Sequence, residues 1–111
     1  MARTALTVQQ IDRTAGIVPS YAAVSADNNK FANDGRCFIH VKNGAASPIT
    51  ATFATPGTVS GLAIADLVVT IANASEKMIG PFDVGLFNQD DAMVYVDFSS
   101  PTTITAAAVR L

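Results

Sequence analysis

The sequence has few of the residues from which catalytic and metal sites are usually built. It contains one cysteine, one histidine and no tryptophan, and aromatic residues make up 7% of its 111 residues. A single cysteine excludes a disulfide within the chain, and one histidine with one cysteine falls short of the ligands that a zinc site takes. We therefore expect no catalytic residue, no metal site, no cofactor and no small-molecule substrate.

Charged residues are also scarce, at 14% of the chain against roughly 25% in typical soluble domains. The net charge is −2, and the seven Lys and Arg are scattered from Arg3 to Arg110 instead of forming a basic stripe, which argues against nucleic-acid binding. A surface poor in charge is typical of a protein that packs against copies of itself or a partner. A monomer rich in Thr, Ser and Asn would have a similar composition.

Long apolar runs are absent as well. No run approaches the roughly 20 residues that span a bilayer. The first residues, MARTALTVQQIDRT, alternate polar and apolar side chains, unlike the continuous apolar segment of a signal peptide. We expect no contact with a membrane and synthesis in a cytoplasm.

The main feature of the sequence is a series of short segments that alternate apolar and polar residues and are separated by Gly, Pro and Asn turns. The strongest is Ala92–Ser99, with Val94, Val96 and Phe98 on one side. Seven or eight such strands, spaced by roughly 8 to 12 residues, predict a sandwich or a barrel. We expect an all-β fold: one antiparallel β-sandwich, jelly-roll-like or immunoglobulin-like, over residues 1–111. The predicted core is Ile39, Val41, Phe53, Val69, Ile71, Val94, Val96 and Phe98.

The segment from Asn29 to Gly44 holds the only His and the only Cys. Alternation predicts that Cys37 faces the core with Ile39 and Val41, as a small hydrophobic side chain. It places His40 on the outward face beside Phe38 and Lys42, which separates the cysteine from the histidine. We interpret His40 as a surface or interface residue, because no orienting carboxylate or second ligand can be located from the sequence.

Two other segments invite a functional interpretation. Asn88–Asp91 is rich in side-chain oxygens but lacks the spacing of a calcium loop, and we interpret it as a hairpin tip. TPGTVSG at 55–61 lacks the lysine and the helix of a phosphate loop. Pro81 has no amide hydrogen, so the strand that it follows is expected at a sheet edge or a bend.

Apolar side chains on outward faces indicate a contact surface. Phe38, Met93 and Tyr95 lie opposite the presumed core positions of their strands. Residues 1–28 are harder to assign, and we expect them either on their own domain or as a partly extended arm that reaches a neighbouring sheet. The candidate interface residues are Leu6, Val8, Ile11, Phe38, His40, Met93 and Tyr95.

A family resemblance covers nearly the whole chain, in order. The segments that carry it are MARTALTVQ at 1–9, KFANDGRCFIHVKNG at 30–44, TPGTVSGLAIADLVVTIA at 55–72, EKMIGPF at 76–82 and VYVDFSSPTTITAAAVRL at 94–111. The chain resembles the small all-β structural proteins of tailed bacteriophages.

The resemblance implies a non-enzymatic protein on the capsid exterior of a virion, which decorates and stabilises the shell by binding the major capsid protein and copies of itself. A structural protein of the neck or tail is the first alternative. A receptor- or carbohydrate-binding module of the virion is the second, and the absence of Trp speaks against it.

Overall fold

Alternating apolar and polar residues give this chain its strands, and turn residues end them. The computed structural model describes residues 3–26 and 28–111. Within these ranges the elements in chain order are β1 (Thr4–Leu6), β2 (Val8–Gln10), β3 (Ala22–Ala23), β4 (Asn29–Ala32), β5 (Cys37–Asn43), β6 (Ile49–Phe53), β7 (Thr58–Val59), β8 (Leu62–Ala63), β9 (Leu67–Ile71), β10 (Ser75–Ile79), the short helix α1 (Val84–Phe87), β11 (Met93–Phe98) and β12 (Ile104–Arg110).

Two sheets form a β-sandwich-like fold. Sheet A has the strand order β1-β4-β11-β6-β9, and sheet B has the order β10-β5-β12-β2, with β3 also paired to β12. The strands β7 and β8 form a separate hairpin. The prediction of an all-β fold is confirmed.

The number and the direction of the strands differ from the prediction. The described residues contain twelve strands, of which β1, β2, β3, β7 and β8 are two or three residues long. Strands of that length are too short to show an alternating pattern. Two pairings depart from the expected antiparallel arrangement, because β1 runs parallel to β4 and β2 runs parallel to β12.

The core lies between the inner faces of the two sheets. Seven of the eight predicted core residues are buried, and Val69 is half-buried because it lies on the edge strand β9. Phe82 closes one end of the core: its ring centroid lies 4.9 Å from that of Phe53 and 5.2 Å from that of Phe87. Burying a ring of this kind stabilises a fold by about 1.5–3 kcal/mol.

The N-terminal strands pair with this chain's own sheets. β1 lies beside β4, while β2 and β3 lie along the same side of β12. Leu6 is 6% exposed and packs in the core, which corrects its expected place on a contact surface. Residues 1, 2 and 27 of the expected arm lie outside the described residues.

Candidate functional site

A segment without strands crosses the outer face of sheet B. Residues 11–21, here called the strap, connect β2 to β3. Val109 and His40 point away from the core, yet both are buried, and both lie against strap residues. The strap therefore covers part of a face that alternation alone would leave in solvent.

Three sets of hydrogen bonds hold the strap in place. The side-chain amide of Gln9 donates to the carbonyl oxygen of Ser20 at 2.9 Å and accepts from the amide of the same residue at 2.8 Å. Asp12 organises the far turn, where its carboxylate accepts from the amide of Thr14 and its carbonyl from the amide of Gly16. The third anchor is the side chain of Tyr21, at the end of the strap.

Tyr21, His40 and Glu76 form a continuous hydrogen-bonded chain. The Tyr21 hydroxyl lies 2.6 Å from Nδ1 of His40, and Nε2 of His40 lies 3.2 Å from Oε1 of Glu76. Because the carboxylate can only accept, a neutral imidazole that serves both partners carries its proton on Nε2 and accepts from the phenol at Nδ1. Lys42 adds a cation over the Tyr21 ring, with Nζ 3.9 Å from the centroid.

This chain of groups corrects one expectation about His40. Alternation assigns it to the correct face, but the side chain is 8% exposed and not free at the surface. The orienting carboxylate that the sequence could not locate is Glu76, which β10 brings beside β5. Both Tyr21 and Glu76 were missed, because only the pairing of distant strands brings them to His40.

An apolar groove lies beside the strap. Its cavity of about 280 Å³ is lined by Ile11, Ile17, Pro19, Tyr21, Phe38, His40, Met78 and Val109. A second depression of about 160 Å³ shares Phe38 and Met78 with it and ends at Leu111. Four exposed apolar side chains and the half-buried Phe38 therefore form one continuous surface, here called the apolar strip: Ile11, Ile17, Phe38, Met78 and Leu111.

The seven predicted interface residues do not meet at one place. Ile11, Phe38 and His40 come together at the groove. Leu6 lies in the core, and Val8 is half-buried against it. Met93 and Tyr95 lie on β11 in sheet A.

The ring of Tyr95 has partners of its own in sheet A. The Arg3 guanidinium lies 4.6 Å from the centroid of this ring, and the Tyr95 hydroxyl donates to Asp91 at 3.0 Å.

The only sequence signal for the groove beside the strap was the outward position of Phe38 and His40 on one strand.

Residues 3–26 and 28–111 contain no group of three or more His, Cys, Asp or Glu side chains that could hold a metal ion. Cys37 is buried, and burial raises the pKa of its thiol, which works against the thiolate that nucleophilic chemistry needs. The described helix is too short to span a membrane.

Comparisons with protein-family models, with curated proteins and with solved structures found no match to this chain.

Proposed function

We propose that this chain is a non-enzymatic virion structural protein, which decorates and stabilises the capsid of a tailed phage by binding the major capsid protein. In this proposal it is made in the host cytoplasm, lies on the capsid exterior among copies of itself, and needs no cofactor, membrane or nucleic acid. The resemblance of the sequence to small phage structural proteins supports the class.

The observation that carries the proposal is the apolar strip on the outer face of sheet B. Single exposed apolar residues are normal on a protein surface, whereas a continuous apolar surface is typical of an interaction site. Met78 is 68% exposed at the centre of this strip. Solubility alone does not account for a continuous apolar surface.

The rigidity of the strip supports the same function. Phe38 and Met78 project from paired strands, and the Gln9 and Tyr21 hydrogen bonds fix the strap that contributes Ile11 and Ile17. A surface that is already ordered loses little conformational entropy on binding. Weak individual contacts then become effective when they are repeated over a shell.

The arrangement of charge agrees with a protein partner. Arg3, Lys30 and Arg110 are paired with Asp97, Asp91 and Asp34 respectively, so three of the seven Lys and Arg already have carboxylate partners. A nucleic-acid surface needs cations that are free to meet phosphates.

The two tyrosines speak against the carbohydrate alternative. The Tyr21 ring lies under Lys42, and the Tyr95 ring lies under Arg3. Each ring therefore already has a cation over one face, where a sugar would stack. A neck or tail protein could use the same apolar strip, and the location of the protein in the virion distinguishes that alternative.

The experiment uses filled heads from a phage that encodes this chain, with its gene deleted. Purified protein is added to these heads, and the mixture is separated from free protein on a density gradient. We expect the wild-type chain to sediment with the heads and Met78→Glu to remain free. Leu62→Glu is the matched control, because Leu62 is 71% exposed on the β7–β8 hairpin and its substitution should leave binding intact.

Two results would oppose this function. Wild-type protein that sediments only with isolated tails would favour the neck or tail alternative. Heads that bind Met78→Glu and the wild-type chain equally well would remove the apolar strip from the interface. Circular dichroism of each variant confirms that the comparison is made between folded proteins.

A further inference from the structure

Most sheet edges of this protein carry features that discourage pairing with another chain. β1 is three residues long, and β2 and β3 together leave only short exposed segments beside β12. β10 is five residues long but places Glu76 and Lys77 in its centre. Short strands and charged side chains are the usual means by which natural proteins protect an edge.

The edge strand β9 is neither very short nor charged, so it lacks both of these protections. It pairs with β6 on one side and with no other strand among residues 3–26 and 28–111. Its sequence, LVVTI, is five residues long and contains no charge. Val68 is 57% exposed, and four of the five residues are apolar and mostly β-branched, a composition that favours strand pairing.

We propose that β9 is a self-association strand, which pairs antiparallel with β9 of a second copy of this chain about a two-fold axis at Val69. A two-fold axis perpendicular to the sheet pairs residues that face the same side of it. In this register Val69 faces its own counterpart, Leu67 faces Ile71, and Val68 faces Thr70. Every pair is apolar or involves threonine, and no like charges oppose each other.

A second copy is the occupant because the strand is complementary to itself. A partner with a charged strand would leave its charges opposite Leu, Val and Ile, without a countercharge on β9. The dimer joins two copies of sheet A into a ten-stranded sheet, twice the five strands of one copy, and satisfies the backbone groups that the edge leaves unpaired. The apolar strip lies on sheet B, so this inference holds whether or not the chain decorates a capsid.

The first test measures the mass of the purified full-length chain by sedimentation equilibrium over a wide range of concentration. We expect a monomer–dimer equilibrium in the wild-type protein. Val68→Lys combined with Thr70→Lys should abolish the dimer, because each lysine then opposes another across the axis. Val18→Lys is the matched control, since Val18 is 92% exposed on the strap, and it should dimerise as the wild type does.

The second test determines the register by cross-linking. Val68→Cys and Thr70→Cys are mixed and oxidised, and we expect a cross-linked dimer because the Cα atoms of directly opposite residues, about 4.5–5.5 Å apart, lie within the range that a disulfide bridges. Neither variant should cross-link by itself, because like positions are then diagonal neighbours, about 7–8 Å apart. The wild-type chain, with its buried Cys37, gives the background.

Three results would overturn the proposal. They are a wild-type chain that stays monomeric at every concentration, a dimer that survives both lysine substitutions, and a failure of the mixed cysteine variants to cross-link. None of these measurements uses heads, so a failure here is distinguishable from a failure of the decoration function.

Discussion

The hydroxyl of Tyr21 lies 2.6 Å from Nδ1 of His40, and this contact fixes the end of the strap to the centre of sheet B. The two rings meet edge to face, with centroids 5.4 Å apart. Glu76 completes the chain on the other side of the imidazole. A histidine that alternation assigns to a solvent-facing position is therefore a structural link between three distant parts of the sequence.

We expect Tyr21→Phe to lower the free energy of unfolding by about 1–2 kcal/mol. The substitution leaves the Nδ1 acceptor of a buried histidine without its donor, and such a loss exceeds the net value of the hydrogen bond itself. Urea unfolding at neutral pH measures the change. Tyr95→Phe is the matched control: its hydroxyl bonds to exposed Asp91, so we expect a change of no more than about 0.5 kcal/mol. Equal effects of the two substitutions would contradict the role of Tyr21.

Strand alternation predicted which way the β5 side chains point but not what covers them. Cys37, Ile39 and Val41 are buried on the inner face as expected, and Phe38 lies on the outer one. His40 differs from the prediction because the strap covers it. The strap has no hydrophobic period, so its path over sheet B depends on the Gln9 and Tyr21 contacts, which no local pattern contains.

The sequence also did not reveal the parallel pairings or the edge of sheet A, because both depend on contacts between distant segments of the chain. Strands β1 and β2 are three residues long, and their partners lie far along the chain in β4 and β12. Val69 matches the core period, yet it is only half-buried because β9 is an edge strand. Nothing in the sequence of β9 indicates that position. The position of β9 in its sheet depends on which strands lie beside it, and its own residues do not indicate them.

Release of the strap should be visible as proteolysis. Gln9→Ala removes both hydrogen bonds to Ser20, and we expect trypsin to cleave after Arg13, which is exposed in the strap, about 5- to 30-fold faster. That range corresponds to about 1–2 kcal/mol of lost local stability. Mass spectrometry of timed samples identifies the cut. Gln10→Ala is the control, because Gln10 bonds to Leu111 and Arg110 instead. An unchanged rate in Gln9→Ala would show that these bonds do not hold the strap.

Acid should weaken the fold partly through Asp34. The amide of Arg36 donates to its carboxylate and the Arg110 guanidinium lies beside it, and together they hold the pKa of Asp34 below its ordinary value of 3.8. Because the pKa is lower in the folded state, this contribution to stability is present above pH 3.8 and is lost as the pH falls through the folded-state pKa.

Urea midpoints measured from neutral to acidic pH test this assignment. In Asp34→Asn we expect a lower midpoint at neutral pH and a smaller further loss below pH 4 than in the wild type. Curves that stay parallel over the whole range would exclude Asp34 from the acid response.

Asn43 should be among the least replaceable polar residues of the fold. Its side-chain amide is buried and donates to the carbonyl oxygens of Ser47 and Ile71 at 3.0 and 3.1 Å, while its oxygen accepts from the amide of Ala45 at 2.9 Å. Asn43→Asp keeps the size of the side chain but replaces the donor with a second acceptor that faces carbonyl oxygens. We expect a loss of about 3 kcal/mol or more at neutral pH, since a buried charge without a partner costs more than a lost neutral hydrogen bond.

Thermal unfolding followed by circular dichroism measures the Asn43→Asp change. Asn73→Asp makes the same chemical change in an exposed turn and should shift stability by no more than about 0.5 kcal/mol. Similar melting temperatures for the two variants would mean that the Asn43 amide does not hold the β5 and β9 ends together. A large difference would show that Asn43, which precedes Gly44 in a turn-forming Asn-Gly pair, also joins the two sheets through its side chain.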